Sequence, residues 1–176
     1  MAESTVASNV NPDVQRQFRS ALSMFATGVA VITAPRKNGP PIGITVASFN
    51  SVSLDPPLVL FSVDRRNLSL PDLSEVGAYA VNVLEEAQQD LSNRFAKANS
   101  DKWGCVSGVR GECDETVLLP DVLASFECEP YAQYDGGDHV IFVGRVKKYQ
   151  SRLEGRPLIF FGGRYHRLHG AHVPSA

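Results

Sequence analysis

The sequence predicts a mainly β protein, an antiparallel β-barrel carrying a few short helices. Three observations lead there. Six or seven short runs rich in β-branched and aromatic residues are separated by Gly, Pro, Asn and Asp turn chemistry. Helical periodicity is confined to a few brief stretches, with no alternating βαβα pattern. Neither G-x-G-x-x-G nor G-x-x-x-x-G-K-[ST] occurs, so neither a dinucleotide-binding α/β sheet nor a P-loop is supported.

In chain order, residues 1–11 read as a polar tail, 12–168 as one domain and 169–176 as a second tail. Asn11-Pro12-Asp13 has the form of a helix start, and Phe18, Leu22 and Phe25 follow at helical spacing. That helix is expected to end near Thr27-Gly28, where glycine can take a positive φ. Val29 to Thr33 is a β-branched run closed by Pro35 and by Asn38-Gly39-Pro40-Pro41, and Gly43 to Phe49 is its expected hairpin partner. Leu58 to Val63 and Tyr79 to Leu84 are two further strands, with a short helix between them over Leu68 to Glu75. Glu85 to Ala96 reads as a helix with Leu91 and Phe95 on one face. Lys97 to Thr116 is irregular. Val122 to Tyr134, His139 to Tyr149 and Pro157 to Leu168 supply three long β segments.

Composition narrows the function. The 176 residues are 43% apolar and 20% charged, ordinary values for a globular domain able to bury a core. A net charge of −2, with basic residues no more than paired, offers no electrostatic footprint for nucleic acid. No apolar stretch approaches the ~20 residues that span a bilayer, and Met1 to Pro12 lacks the layout of a signal peptide. A cytoplasmic protein without membrane contact is expected. Cys105, Cys113 and Cys128 are odd in number and have no C-x-x-C spacing, which indicates neither a disulfide framework nor a zinc knuckle. His166, His169 and His172 would form a metal-binding stripe on a helix, but Gly170 and Pro174 disfavour one there, so no metal site is expected.

Two segments carry the chemistry. Thr45, Ser48, Asn50, Ser51 and Ser53 crowd short hydroxyl and amide groups at the end of a strand, fixed by Asp55-Pro56-Pro57. Such a set can form a neutral nest for a phosphate or for the edge of a uracil-like ring, or it can be a solvated serine-rich turn. Asp135-Gly136-Gly137-Asp138 is a glycine turn that delivers His139 to the first position of a strand. A histidine held there can meet a planar ligand or a carboxamide, or it can be satisfied within the turn.

These two segments, with the blocks around them, resemble the flavin reductase family that supplies reduced flavin to two-component monooxygenases. The resemblance runs through Phe18-Arg19-Ser20-Ala21-Leu22, Phe25 to Thr33, Gly43 to Phe49 and Ser51 to Leu58. It continues through Ala80 to Leu84, Leu91 to Ala96, Gly136-Gly137-Asp138-His139 and Pro157 to Tyr165, in the family's order. It implies a split β-barrel with FMN-binding topology, a homodimer with flavin sites near the interface, and NADH- or NADPH-dependent reduction of FMN or FAD. By position it implies flavin contacts from Thr45, Val46, Ala47, Ser48, Ser51, Val52 and Ser53, and phosphate or adenylate contacts from Ser62, Arg65, Asn67 and Ser69. Phe95 and Lys97 are expected to close the pocket, Tyr165 to line it, and His139 to meet the nicotinamide as the catalytic residue. A separate monooxygenase, reached by diffusion of reduced flavin, is the implied partner. The alternative is a barrel of the same type that binds flavin or relays electrons without oxidising NAD(P)H.

Overall fold

Asn11 accepts the backbone N–H of Asp13 on its side-chain oxygen at 2.9 Å, and Pro12 takes the first helical position. Helix α1 therefore starts where its sequence predicts and spans Pro12–Leu22. The computed structural model describes residues 11–98, 101–113 and 115–168. The expected tails, apart from Asn11, lie outside those residues, as do His169 and His172.

α1 stops at Leu22, short of the expected Thr27-Gly28. Ser23 turns the chain by donating its N–H to Arg19 and its hydroxyl to Ser20, 2.7 Å away. Gly28 is no helix cap: Thr27–Gly28 form strand β1, opposite Phe160 and Ile159. Next come β2 (Ala30–Ala34), β3 (Ile42–Val46), β4 (Asn50–Leu54) and β5 (Pro57–Asp64). Helix α2 (Leu70–Ser74) leads to β6 (Tyr79–Val83), and a 3₁₀ turn at Glu86–Gln88 opens α3 (Gln89–Ala96). The short β7 (Val109–Arg110) falls within the stretch expected to be irregular and pairs with β8 (Val117–Leu118) just beyond it. The long strands β9 (Ala124–Gly136) and β10 (His139–Ser151) precede the hairpin of β11 (Ile159–Phe161) and β12 (Arg164–His166).

The last segment is thus two three-residue strands instead of one long one. Gly162 and Gly163 sit between them at φ +57° and +75°, the pair of left-handed residues that a tight two-residue hairpin needs. The serine-rich segment differs too. Expected as a nest or a solvated turn at the end of a strand, its Asn50–Leu54 part instead forms edge strand β4, with Ser51 opposite Val59, Ser53 opposite Leu58 and a bulge between them. His166 lies on β12 and not on a helix, so no helical histidine stripe involves it.

The main sheet is antiparallel, in the order β3-β2-β6-β9-β10-β5-β4. It curls until the chain leaving β3 reaches β5. There Ser48 Oγ accepts the N–H of Ser62 at 2.9 Å and donates to its carbonyl at 3.2 Å. The barrel closes at this seam through one hydroxyl, without a ladder.

β2 is buried at every position, because both of its faces are covered. Ala30, Ile32 and Ala34 face the barrel interior with Phe61, Tyr79 and Phe142, while Val29 and Val31 face a second core with Leu84, Phe95 and Leu158. Inside the barrel Phe61 stacks on Phe142 at 5.2 Å between ring centroids and meets Tyr79 edge-on at 5.3 Å. Gly144 makes room for that tyrosine, since a Cβ there would fall 2.3 Å from its hydroxyl. Leu91 and Phe95 both join the second core, as their spacing predicts.

Cys128 is buried between these strands, and burial pushes its thiol up to about 12, whereas Cys105 is exposed. With native protein at about pH 8, a disulfide reagent should modify Cys105 and leave Cys128 untouched until denaturant is added. Rapid native modification of Cys128, located by peptide mapping, would contradict this packing.

Candidate active site

The seam between β3 and β5 opens on a cleft of ≈ 760 Å³. One wall is the end of β3 and the chain leaving it, Ile44 to Ser48; the other is Ser62, Val63 and Asp64 of β5, with Asn67 beyond. Phe25 and Phe160 bring aromatic rings to it, and Arg19 and Leu22 of α1 stand at its edge. Its size is that of a cofactor pocket.

His139 reaches this cleft because of the β9–β10 turn. Gly137, at φ +76°, and Asp138 form a two-residue loop, and His139 then stands opposite Gly136 on one side and Asp64 on the other. Its Nδ1 lies 2.7 Å from Asp138 Oδ1. That contact holds the Asp138 carboxyl below the ordinary carboxylate value, so it is ionised at neutral pH and only accepts. Nδ1 is therefore the donor, and Nε2 is left to face a ligand.

A second cavity of ≈ 550 Å³ lies beside the cleft and shares Asn67 with it as a lining residue. It gathers four cations, Arg36, Arg66, Lys97 and Lys102, with Ser69, Trp103 and two acids, Asp72 and Asp101. Arg36 pairs with Asp72 at 2.9 Å, and Arg66 grips Asp64 through Nε and Nη2 at 3.0 and 2.6 Å. The Arg66 contact holds the Asp64 carboxyl well below the usual range. Lys102 donates to the carbonyls of Gly43 and Phe95 at 2.8 and 3.0 Å, and burial lowers its ammonium pKa.

The expected site residues therefore divide. Thr45, Val46, Ala47, Ser48, Ser62, Asn67 and His139 come together at the cleft, and Asn67, Ser69 and Lys97 at the cationic cavity. Ser51, Val52 and Ser53 lie on edge strand β4, outside both linings. Phe95 is buried in the second core against Trp103, 5.0 Å between ring centroids, and closes no pocket surface. Tyr165 stands behind Phe160 and bonds Ser92 at 2.8 Å between the two hydroxyl oxygens. Arg65 turns away from both cavities to the β9–β10 loop. Two cleft hydroxyls are already engaged: Thr45 donates to the Ser92 carbonyl at 2.7 Å, and Ser48 bridges the seam.

Sequence reasoning missed Arg19, Phe25, Thr27 and Phe160 at the cleft, and Arg36, Arg66, Lys102 and Trp103 at the cavity. Phe25, Thr27 and Phe160 fall inside blocks that carry the family resemblance, which was the available signal. Nothing local marks Arg36 or Lys102, because distant turns bring them together.

Comparison with known proteins decides the family. Residues 22–169 match the Flavin reductase like domain. The chain belongs to that family. It is 45% identical over 154 residues to the FMN reductase (NADH) SmoA of Agrobacterium fabrum, covering 87% of this chain and 86% of that protein. It is 35% identical over 167 residues to a flavin reductase of Pseudomonas putida, with 94% and 95% covered. A probable flavin reductase of Rhizobium meliloti is 41% identical over 162 residues, 92% of this chain, which spans about half (52%) of that longer protein. Among solved structures, the Streptomyces globisporus NADH:FAD oxidoreductase SgcE6, in complex with NAD and FAD fragments, superposes with a TM-score of 0.85 at 35% identity. That match covers 95% of this chain and all (100%) of SgcE6.

Thr45 tests how the cleft wall is held. Replacing it with valine keeps the shape and removes the donor from the Ser92 carbonyl. Urea unfolding of Thr45→Val should show a loss of about 1 kcal/mol or more, the cost of a part-buried hydrogen bond. An unchanged midpoint would mean that α3 does not depend on this contact.

Proposed function

We propose that this protein is an NAD(P)H-dependent flavin reductase that reduces FMN or FAD and supplies the reduced flavin to a partner monooxygenase. The observation that carries the reading is a largely neutral cleft, lined by His139, next to a cavity lined by four cations, with Asn67 common to both linings. That layout fits a ligand with a flat, weakly polar ring at one end and phosphate at the other, as a flavin nucleotide has.

A bound flavin would supply the redox chemistry by accepting a hydride from reduced nicotinamide. The residues of this chain hold and orient. Ile44 to Ser48 support the ring along the seam, and Phe25 and Phe160 keep its surroundings apolar. Asn67, Ser69 and the cations beyond hold phosphate. FAD has more anion to place than FMN, and Arg36, Arg66 and Lys97 lie where a second phosphate could be met. His139, its Nδ1 engaged by Asp138, offers Nε2 as acceptor to the carboxamide N–H₂ of a nicotinamide and so sets the angle between the two rings. Its role is orientation at the short separation that hydride transfer requires. NADH is the expected reductant, as it is for the FMN reductase (NADH) SmoA and the NADH:FAD oxidoreductase SgcE6.

The functional unit is a homodimer of a domain spanning residues 12–168. α1 buries none of its own residues, and Val14, Phe18, Leu22 and Phe25 are 54–77% exposed, an apolar face that a second copy would cover. Cytoplasmic residence fits the free thiols of Cys105 and Cys128, and no described helix is long and apolar enough to cross a membrane.

Absorbance at 340 nm tests the activity. NADH should be oxidised rapidly only when FMN or FAD is added, and the ratio of the two rates names the preferred flavin. Protein that binds flavin stoichiometrically but leaves both NADH and NADPH untouched would favour the electron-relay alternative. His139→Ala should raise the KM for NADH about tenfold or more while flavin affinity, read by quenching of flavin fluorescence, stays level. Phe18→Glu should convert a dimer to monomer in sedimentation, and a wild-type monomer would remove the dimer reading.

A further inference from the structure

Arg65 was expected among the phosphate contacts, yet its guanidinium lines neither the cleft nor the cationic cavity. It reaches instead across the end of the sheet to the turn between β9 and β10. Its Nε donates to the carbonyl of Gly137 at 2.8 Å, and its Nη2 donates to Asp135 Oδ1 at 2.6 Å. Its backbone N–H bonds the carbonyl of Asp138 at 2.9 Å, extending the β5–β10 ladder one residue past the Asp64–His139 pair. Asp135 Oδ1 also accepts the N–H of Gly137 at 3.1 Å, so one carboxylate oxygen serves both the arginine and the turn. A single residue thus fixes three of the four residues that precede His139.

We infer that Arg65 is a positioning residue for His139, holding the 135–138 turn so that the imidazole keeps one pose at the cleft, and that it is not a flavin ligand. The inference rests on the reading of His139 as the nicotinamide contact. A two-residue loop with glycine on its strand end and glycine at its first position is intrinsically loose, because glycine restricts the backbone least. The backbone of His139 is held in the β10 ladder, but its imidazole bonds the side chain of Asp138, which rides on that same loop, so the ring's pose follows the loop unless something outside the turn holds it. Arg65, following directly on β5, is that outside tether. The planar fork matters, since two N–H groups in fixed relation reach a carbonyl and a carboxylate at once, and lysine offers no such geometry. Arg66 takes the other part: it lines the cationic cavity, paired with Asp64. Adjacent arginines at the end of one strand point to opposite duties.

The test uses Arg65→Ala and Arg65→Lys in the full chain. Amide hydrogen exchange at Gly137, Asp138 and His139 should accelerate in both variants with no change in β2 or β6, and the His139 ring signals should shift or broaden in NMR spectra. KM for NADH should rise about tenfold with a smaller change in kcat, while the dissociation constant for FMN, measured without nicotinamide, stays at the wild-type value. Adding Arg65→Ala to His139→Ala should raise KM no further, since the tether then has nothing to position. FMN binding weakened as much as NADH use would overturn the inference and return Arg65 to the phosphate site. Fully additive effects with His139→Ala, or unchanged exchange at the turn, would equally overturn it. If His139→Ala alone leaves NADH use intact, the nicotinamide reading of His139 fails. The exchange and NMR changes still decide whether Arg65 holds the turn.

Discussion

The site depends on a gap that the sheet does not close. β3 is one edge of the seven-stranded sheet, and where its chain comes round to β5 no backbone ladder joins them: the Ser48 hydroxyl bonds both backbone groups of Ser62. A full ladder between residues 44–48 and 62–64 would stabilise the barrel but would fill the cleft with backbone. An open edge leaves N–H and C=O groups unpaired, which is a hazard when exposed to other chains and an asset when a ligand occupies the opening. The surrounding structure keeps the gap at fixed width. Thr45 ties β3 to α3, Ser92 ties α3 to Tyr165, and Tyr165 packs edge-on against Phe160 at the cleft. Two buried cores, one on each face of β2, then make that frame hard to deform.

Much of the fold was legible because its signals are local. The Asn11-Pro12 helix start, the Asp135 to His139 turn and the Leu91/Phe95 face are each set by residues within a few positions of one another, and each formed as read. The failures share a cause as well. Gly28 carries the signal of a helix end, but the chain had already turned at Ser23, and pairing with Phe160 far along the sequence made it a strand. Asn50 to Leu54 has turn composition and became β4 because β5 offered an edge at that register. A polar segment on a sheet edge reads like a loop, since neither face is required to be apolar.

The candidate site was legible as a region and less so as a list. Family resemblance located the strand ends and the turn, which backbone topology fixes. It was less informative about which side chain turns where. Phe95 stands in the right helix but faces inward, because Gly43 leaves a hollow on β3 that its ring fills: a Cβ on Gly43 would fall 2.2 Å from that ring. Arg65 and Arg66 are chemically identical neighbours, and the turn that follows β5 sends them to different places. Arg36 and Lys102 lie 66 positions apart and meet only through folding.

If the cationic cavity takes the phosphate of the proposed flavin, its charges suit a ligand that must leave. Arg36 is already paired with Asp72, Arg66 with Asp64, and Lys102 with two carbonyls. An incoming phosphate has to share these partners, so its gain is the difference between two charge-assisted interactions, which is smaller than that from meeting bare cations. Four unpaired cations around a dianion would bind it tightly and hold it. A pre-neutralised set still selects for anion by geometry while leaving affinity modest, and the neutral cleft next to it adds area without adding charge. Such a balance is what an enzyme needs when its product is a reduced flavin to be released to another protein, because tight retention would stop turnover at the release step.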